Sequence, residues 1–303
     1  MAGVTEYITT QPWREVILLW YVLIDDAYQT LAQTYGSPRA RGPAPTMSDS
    51  EVITVALVID TYFAGHETHG LAFLRQYHQA EFPTLLERSR FNRRRRALGH
   101  LIEQIRQLIT IPLLEMDPIR VVDSAPLPVC TYTRSPDCRT VQGWEYCGYS
   151  ASKRQKYFGF KVHVSVTPDQ VVDTWVLAPA SHHDSTVAPA LLEDRRNLLV
   201  LGDKAYVRPL LSGWMKEVCH AQLWAPPRRR DREQWPTAFA RCTNRIRRRV
   251  ETALSTLCRV FGLERLGSRS LEGVVCRVAT RMLGYAISFW ITYLLNKGRP
   301  TST

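Results

Sequence analysis

The ten residues Asn197-Leu-Leu-Val-Leu-Gly-Asp-Lys-Ala-Tyr206 give the clearest signal for the fold. A short apolar run, typical of a buried strand, ends at Gly202 and is followed at once by Asp203. The glycine lets the backbone leave the strand, so Asp203 projects beyond the edge of the sheet, where open sheets place their ligands. A second apolar run, residues 119–122, leads in the same way to Asp123. We therefore expect two neighbouring strands that each end in an aspartate.

A third acidic residue, Glu251, lies in an arginine-rich segment whose apolar residues recur with helical spacing. The apolar stripe of this helix is formed by Val250, Leu254, Leu257 and Phe261. Glu251 is one position beyond Val250, so it flanks the stripe and is expected near the seam with the sheet. Carboxylates from two strands and one helix are able to converge on one point, and carboxylate oxygens are the ligands of hard divalent cations. The ordinary alternative is that Asp203 is a turn residue and that Glu251 forms an i,i+4 ion pair with an arginine.

The period of the apolar residues divides the chain into regions. Residues 1–118 have helical spacing, and Ser48 with Glu51 forms a capping-box signature ahead of one helix. From Ile119 the period is that of strands, which then alternate with helices, and this order predicts a mixed sheet with helices packed on it. We predict strands at 119–123, 157–167, 171–178, 198–203 and 221–225, a loop at 124–154, and helices near 185–196, 207–219, 243–262 and 270–296. The predicted organisation is an all-helical region at 1–118, an α/β domain at 119–296 and a tail at 297–303.

The chain is basic, and its charge indicates the class of partner. Its 303 residues include 39 lysines and arginines against 28 aspartates and glutamates, which gives a formal net charge of +11. Positive charge of this size favours a polyanionic partner, because basic side chains that neutralise phosphates release condensed counterions. The four arginines at 93–96 occupy every side of a helix, so some of them must meet phosphate, an acidic side chain or another subunit.

Basic residues in the helical region and near the predicted strand ends are candidates for contact with nucleic acid. They are Arg93, Arg94, Arg95, Arg96, Lys153, Arg154, Lys161, Lys204, Arg228, Arg229, Arg247 and Arg248. For each of them the alternative is a solvated basic surface.

Histidines and cysteines offer weaker signals. Adjacent side chains such as His182 and His183 point in different directions, so they rarely bind one ion together. We expect His183 to cap a loop or to form hydrogen bonds near the site, with His163 and Asp184 as further support of that site. The seven cysteines include no Cys-x-x-Cys pair, and the spacing of Cys130, Cys138 and Cys147 fits no common zinc site.

The cysteines and the apolar segments also bear on the compartment. With no signal peptide evident, the cysteine content indicates a reducing compartment. The last long apolar segment, residues 282–295, is shorter than the roughly 18 residues that a membrane span requires. We expect a soluble, cytoplasmic protein that does not enter a membrane.

Several motifs together resemble the DDE transposases of bacterial insertion sequences, over roughly residues 48–295. The motifs are Val-Asp123-Ser-x-Pro-Leu-Pro-Val-Cys, Tyr149-Ser-Ala-Ser-Lys-Arg, Phe158-Gly-Phe-Lys-Val-His, His183-Asp184, Gly202-Asp203-Lys-x-Tyr and Arg248-x-x-Glu251-Thr. The resemblance implies a ribonuclease H-like catalytic domain at 119–296, with Asp123, Asp203 and Glu251 as the catalytic triad that binds two Mg²⁺ ions, for which Mn²⁺ would substitute.

The resemblance also implies the substrates and the assembly. The substrates would be the terminal inverted repeats of the parent element and a target DNA, and the protein would be associated with the nucleoid. Joining two ends of one element requires both ends to be held together, so at least a homodimer is expected on DNA. The helical region at 1–118 would supply DNA binding and dimerisation.

The sequence departs from one pattern of the resembling group. Related transposases often carry Tyr-x-x-Arg-x-x-x-Glu-x-x-x-x-x-x-Lys around the glutamate. Arg247 and Glu251 fit this pattern, whereas Asn244 stands at the tyrosine position and Cys258 at the lysine position. A DNA contact usually assigned to that lysine is therefore absent or supplied elsewhere.

Two other functions fit the same residues. One is a DNA-binding protein without catalysis, left from a decayed element whose fold survives. The other is a ribonuclease H-like nuclease that cuts DNA without joining strands. The products formed from DNA with and without a divalent metal distinguish the three.

Overall fold

The computed structural model describes residues 12–36, 45–115, 117–151, 153–206, 208–227, 231 and 234–295, and of 293–295 the backbone only. The candidate DNA contacts Arg228 and Arg229 lie outside these residues. The chain forms two compact units: one contains the residues up to Ile109 and those from Leu257 onward, and the other is Thr110–Thr256. We call them the helical unit and the sheet unit.

The helical unit is built from helices that are contributed by both ends of the described chain. The helices in and leading from it are α1 (Trp13–Tyr35), α2 (Asp49–Tyr62), α3 (Glu67–Tyr77), α4 (Arg88–Ala97), α5 (Gly99–Leu114) and, after the sheet unit, α9 (Leu271–Leu295). The predicted capping box is confirmed at the start of α2, where the Ser48 side-chain oxygen accepts a hydrogen bond from the Glu51 N–H at 3.1 Å and the Glu51 carboxylate accepts one from the Ser48 N–H. Since nearly every residue of α2 is buried, this helix is the centre of the unit.

Helix α9 packs on α2 and is itself almost wholly buried. Gly284 brings the two helices close, because a Cβ at this position would lie 2.6 Å from Leu57 and 3.1 Å from Phe261. The stretch Leu271–Thr292 is long and apolar enough to cross a membrane, but 83% of its apolar window is buried inside the protein, as in a core helix. The sequence prediction placed this helix in the domain at 119–296, whereas by packing it belongs with the N-terminal helices.

A buried ionic cluster joins the helices of this unit. The Asp60 carboxylate in α2 is paired with the guanidinium of Arg95, and Arg277 and Arg281 approach it at 3.5 Å and 4.0 Å. Burial alone would raise the pKa of Asp60, but the charges of the three arginines outweigh it, so that its pKa lies below the ordinary value. Arg277 also donates a hydrogen bond to Glu67 at 2.9 Å, which extends the cluster to α3.

This cluster corrects the prediction that all four arginines at 93–96 contact DNA. Arg95 is 1% exposed and pairs with Asp60, so it is out of reach of a phosphate. Arg94 donates hydrogen bonds to the Asp49 carboxylate and to the Met47 carbonyl oxygen. The physical reason is that a helix set against a core turns two of four consecutive side chains inward, and these two meet acidic groups. Arg93 and Arg96 are exposed.

The sheet unit contains, within the described residues, one six-stranded sheet. Its strands are β1 (Ile119–Cys130), β2 (Cys147–Ser150), β3 (Gln155–Val166), β4 (Val172–Pro179), β5 (Leu199–Leu201) and β6 (Gln222–Trp224). The order along the sheet is β2-β3-β1-β5-β6, and β4 also pairs with β3. β1 to β4 pair antiparallel, whereas β5 and β6 run parallel to β1. This order confirms the predicted mixed α/β sheet of a ribonuclease H-like domain.

The predicted end of the first strand and the predicted loop at 124–154 are wrong. β1 continues through Asp123 to Cys130 and pairs with β3 along this whole length, and β2 lies within the predicted loop. Pro126 and Pro128 suggested a loop, because proline lacks the N–H that a strand donates. Among the described residues, β5 pairs with residues 119–121 and no strand pairs with that edge of β1 at the prolines, where their missing N–H groups lie.

Helices of the sheet unit cover the sheet and extend from it. They are α6 (Asp184–Leu192), α7 (Pro209–Val218) and α8 (Thr237–Arg259). Apolar residues of α6 and α7 form one core with the sheet, including Leu191, Met215, Val122 and Val200. This core fixes β1 and β5 side by side.

Candidate active site

Asp123 lies in β1, and Asp203 lies two residues beyond the end of the neighbouring parallel strand β5. The register pairs Val121 of β1 with Leu201 of β5, and each aspartate is two residues further along its strand direction. Adjacent strands lie about 4.8 Å apart, so the two carboxyl groups belong to one site. Each is held by local backbone: the Ser124 N–H donates to Asp123 Oδ1 at 2.8 Å, and the Ala205 N–H donates to Asp203 Oδ1 at 2.7 Å.

The proximity of the two carboxyl groups changes the acidity of Asp123. Burial raises the pKa of Asp123 to about 6, and the negative charges of Asp203 and Asp184 act in the same direction. The hydrogen bond from the Ser124 N–H and the positive charge of Arg247 oppose this rise. The site therefore favours the protonated form of Asp123, chiefly because this carboxyl group is buried.

The raised pKa of Asp123 predicts a pH-dependent cost to stability. An unfolded aspartate titrates near pH 4, so between about pH 4 and pH 6 the folded state binds more protons, and stability falls as pH rises through this window. Above about pH 6 the folded state is destabilised by the full amount, which for a pKa raised by about two units is roughly 3 kcal/mol. We expect Asp123→Asn to raise the free energy of unfolding by roughly 2–3 kcal/mol at pH 8 and to change it little at pH 4. Urea denaturation in a metal chelator measures both values.

The exposed Asp194 offers a control for this measurement, since Asp194→Asn removes a carboxylate of the same unit from open solvent. This control should leave stability nearly unchanged at both pH values. Equal stabilities of the native protein and Asp123→Asn at pH 8 would contradict the raised pKa.

A third aspartate, Asp184, lies at the start of α6 and is bound from two strands. Its Oδ1 accepts hydrogen bonds from Ser124 Oγ at 3.2 Å and from Lys161 Nζ at 3.1 Å, and His163 Nδ1 is 3.9 Å away. Burial lowers the pKa of His163 to about 4 despite the attraction of Asp184, so this imidazole is neutral at pH 7. The structure thus places two of the predicted supporting residues, His163 and Asp184, beside the aspartate pair.

His183 has the role of a helix cap. Its Nδ1 accepts a hydrogen bond from the Ser185 N–H at 3.3 Å and lies 2.8 Å from Ser185 Oγ. The ring therefore satisfies an N–H group at the N-terminus of α6, which is the cap interpretation given above. Its effect on the site is indirect, because it fixes the first turn that carries Asp184.

Tyr206 is a member of the site that the sequence analysis did not single out. Its hydroxyl is buried and has no hydrogen-bond partner among the described residues. Burial raises its pKa well above the ordinary value, and the charges of Asp184, Asp123 and Asp203 add to this effect. The signal was present, because Tyr206 is the last residue of the Gly202-Asp203-Lys-x-Tyr motif.

Glu251 is not brought together with the two aspartates. Its side chain is 53% exposed and pairs with Arg247 at 3.4 Å, one turn earlier in α8. Arg247 in turn lies close enough to Asp123 for its charge to lower the pKa of that carboxyl group. In the part of the chain that the structure describes, no three His, Cys, Asp or Glu side chains are placed to hold a metal ion together. The three-carboxylate triad therefore stays a prediction, as does the role of each of its members.

Comparison with known proteins identifies the family. A sequence model of the family described as "Transposase DDE domain" matches residues 115–287, which is more than half of the chain. This chain belongs to that family. The match supports a transposase and, more broadly, an enzyme that cuts and transfers DNA. No curated protein matches the chain in sequence.

Two solved transposase structures show a weak likeness to this family member. One is a piggyBac transposase synaptic complex with hairpin DNA, with 10% identity, a TM-score of 0.48, and coverage of 95% of this chain and 76% of that chain. The other is a pre-cleavage Mos1 transpososome, with 10% identity, a TM-score of 0.21, and coverage of 94% and 97%. At these values neither likeness bears on the function of this chain.

The remaining basic candidates of this transposase lie on its surface. Lys204 and Arg248 are exposed, the first directly after Asp203 and the second on α8. Lys153 and Arg154 are exposed in the turn between β2 and β3. Lys161 differs from them, because its ammonium group is engaged by Asp184 and by the His182 carbonyl oxygen at 2.9 Å.

Proposed function

We propose that this chain is the transposase of a bacterial insertion sequence. It would cut DNA at the terminal inverted repeats of its element and transfer the resulting 3′-hydroxyl strand into a target DNA. The observation that carries the proposal is the placement of Asp123 in β1 and of Asp203 just after the adjacent parallel strand β5, close enough for the charge of Asp203 to act on Asp123, in a chain of the transposase DDE domain family. Lys204, exposed directly after Asp203, favours a polyanionic substrate.

The donor set of the site fits Mg²⁺. Two carboxylates that repel each other, with the pKa of one raised to about 6, are suited to a divalent cation, and carboxylate oxygens are its preferred ligands. Asp123 and Asp203 would hold the metal, with Glu251 as the third ligand, and Mn²⁺ would substitute. Such ions would supply charge neutralisation at the attacking and leaving oxygens of an in-line displacement.

The side chains around the pair have separate tasks in this proposal. Ser124 and Lys161 fix Asp184, and the capped turn of α6 keeps that carboxylate beside the pair. Arg247 neutralises part of the charge of Asp123 before DNA binds, and it is half of an ion pair with Glu251. If Glu251 were a metal ligand, the guanidinium of Arg247 would be free to bind a phosphate of the DNA backbone.

DNA cleavage and joining by the purified protein test the proposal. A labelled DNA fragment that carries one element end should be nicked in Mg²⁺ or Mn²⁺ to leave a 3′-hydroxyl, and the nicked strand should then be joined to an unlabelled target. The inverted repeats are sought in the DNA that flanks the gene. We expect a protein that is cytoplasmic, associated with the nucleoid and at least dimeric on DNA, which sedimentation of the complex checks.

The other functions predict different products. Binding to the repeats with no cleavage in either metal would indicate a decayed DNA-binding protein. Cutting without joining, and without preference for the element ends, would indicate a nuclease. Either result would refute the proposed strand transfer.

A further inference from the structure

The helical unit contains a large polar cavity that the candidate active site does not use. Its volume is about 910 Å³, and it is lined by the first turn of α3, by one face of α4 and by the segment from Gly267 to Arg277. Cavities for small organic ligands are predominantly apolar. This one is lined mainly by arginine, serine, histidine and glycine, so its chemistry is that of a site for an anion.

Four arginines at the cavity are exposed and have no acidic partner in the part of the chain that the structure describes. Arg88, Arg93 and Arg96 line the cavity from α4, and Arg269 lines it from the segment Gly267 to Arg277. Arg94, by contrast, is turned away to Asp49. The spacing of the arginines along α4 therefore directs three of them to the cavity.

The floor of the cavity is fixed and contributes little free charge. Glu67, its acidic residue, is 8% exposed and accepts hydrogen bonds from Asn92 at 2.8 Å and from Arg277 at 2.9 Å. Arg95 is neutralised by Asp60. Because the buried charges compensate one another, the four rim arginines set the sign of the electrostatic potential in the cavity.

We propose that this cavity binds the phosphodiester backbone of DNA. Eight residues of α4 rise about 12 Å, whereas one strand of duplex DNA carries a charge about every 3.4 Å along its axis, so Arg88 and Arg96 match phosphates several nucleotides apart. A single phosphate group would meet only one end of this row. Arginine also binds phosphate oxygens through two parallel hydrogen bonds, which favours a backbone contact that is strong and independent of sequence.

The first turn of α3 adds to this preference. Its N-cap residue His66 forms no side-chain hydrogen bond to the helix, so backbone N–H groups of the first turn stay available at the cavity wall. Such a helix start attracts anions. The proposal rests on the proposed function for its DNA partner, but its residues belong to the helical unit and not to the sheet unit.

Binding of a labelled duplex, measured by fluorescence anisotropy in a metal chelator, tests the proposal without any cleavage. The test variant combines Arg88→Gln, Arg93→Gln and Arg96→Gln. The matched control combines Arg90→Gln, Arg259→Gln and Arg265→Gln, three exposed arginines outside the cavity lining, so both variants lose the same net charge.

We expect the cavity variant to weaken DNA binding by more than about tenfold near physiological salt and to lower the slope of log K against log salt by about 2 to 3. The control should change the affinity by about twofold or less, with nearly the native slope. The loss should be equal for a duplex with and without the element end, because phosphate contacts carry no sequence information. Equal losses in the two variants would refute the cavity as the cause.

Two further measurements separate the remaining outcomes. Calorimetry with pyrophosphate and with adenosine monophosphate tests whether the cavity is instead a site for a small anion. If the native protein binds either anion tightly and the cavity variant loses that binding but still binds DNA like the native protein, the proposal is overturned. Nicking by the native protein is measured separately. If the native protein binds DNA through the cavity but does not nick it, the proposed function is refuted and this inference stands. If the native protein nicks DNA and the cavity variant binds DNA as tightly as the native protein, this inference is refuted and the proposed function stands.

Discussion

Asp203→Asn should reduce metal-dependent nicking of an element end by about a thousandfold, which corresponds to roughly 4 kcal/mol in the activation free energy. Asparagine keeps the shape of the side chain and an oxygen that accepts the Ala205 N–H, so the turn after β5 should persist. It removes the negative charge that a divalent cation requires, and with it one of the two carboxylates on which the proposed site depends. The measurement is the rate of 3′-hydroxyl formation on a labelled end fragment in Mg²⁺.

Two comparisons make this result specific. Asp194→Asn, at an exposed position of the same unit, should leave the nicking rate within about twofold of the native rate, since surface charges are strongly screened. Glu251→Gln tests the helical residue by the same assay. A loss as large as that of Asp203→Asn would assign Glu251 to the metal, and a nearly native rate would limit its role to the ion pair with Arg247. Native-like nicking by Asp203→Asn would refute the site itself.

Asp60→Asn should lower the free energy of unfolding by about 3–5 kcal/mol, the range for removal of one partner from a buried ion pair. The carboxylate is 1% exposed and neutralises Arg95, with Arg277 and Arg281 close by. Even with Asp60 present, burial lowers the pKa of Arg281 to about 10. Without that negative charge, the three buried guanidinium groups would have only the carboxylate of Glu67 to neutralise them.

The pH dependence of this effect follows from the lowered pKa of Asp60. A carboxyl group with a lowered pKa contributes stability above its unfolded pKa, near 4, and that contribution is lost only as pH falls through the folded pKa. The deficit of Asp60→Asn should therefore persist from pH 8 to pH 5 in urea denaturation. Glu87→Gln is the matched control, because its pair with Arg75 is largely exposed and is worth less than about 1 kcal/mol. If Asp60→Asn and Glu87→Gln lowered the free energy of unfolding by the same small amount, the ionic cluster would not stabilise the fold.

The strands that carry the site could be predicted because each is a continuous apolar run with a polar end. Leu199–Leu201 is buried on both faces and its run stops at Gly202, so the position of the strand follows from the sequence, although the strand is shorter than the predicted 198–203 and Asp203 lies beyond its end. The alternation in β3 likewise places Lys161 and His163 on one face, and the structure has both beside Asp184. A continuous apolar run was sufficient for β5, and a periodicity of two residues was sufficient for β3.

Other features depend on partners that are distant in sequence. The continuation of β1 to Cys130 relies on pairing with β3, which compensates for the intrinsic preference of Pro126 and Pro128 for turns. The inward orientation of Arg95 relies on Asp60, 35 residues earlier. A lone aspartate in the otherwise apolar run of α2 was the available sign of a buried cation. The ion pair of Glu251 with Arg247 was foreseen as an alternative, but local spacing alone does not decide between an arginine and a metal as the partner.

The position of α9 has a consequence for the order of events during synthesis. Helix α2 packs against α1 and also against α9 (Leu271–Leu295), which is translated more than 200 residues later. At about 5–20 residues per second, the apolar surface of the first helices waits roughly 10–40 s on the ribosome before its partner exists. During that interval the sheet unit, which is continuous in sequence, is able to fold first. Chaperone dependence should therefore be a property of the nascent helices α1 and α2, whose packing is completed only when α9 has been made.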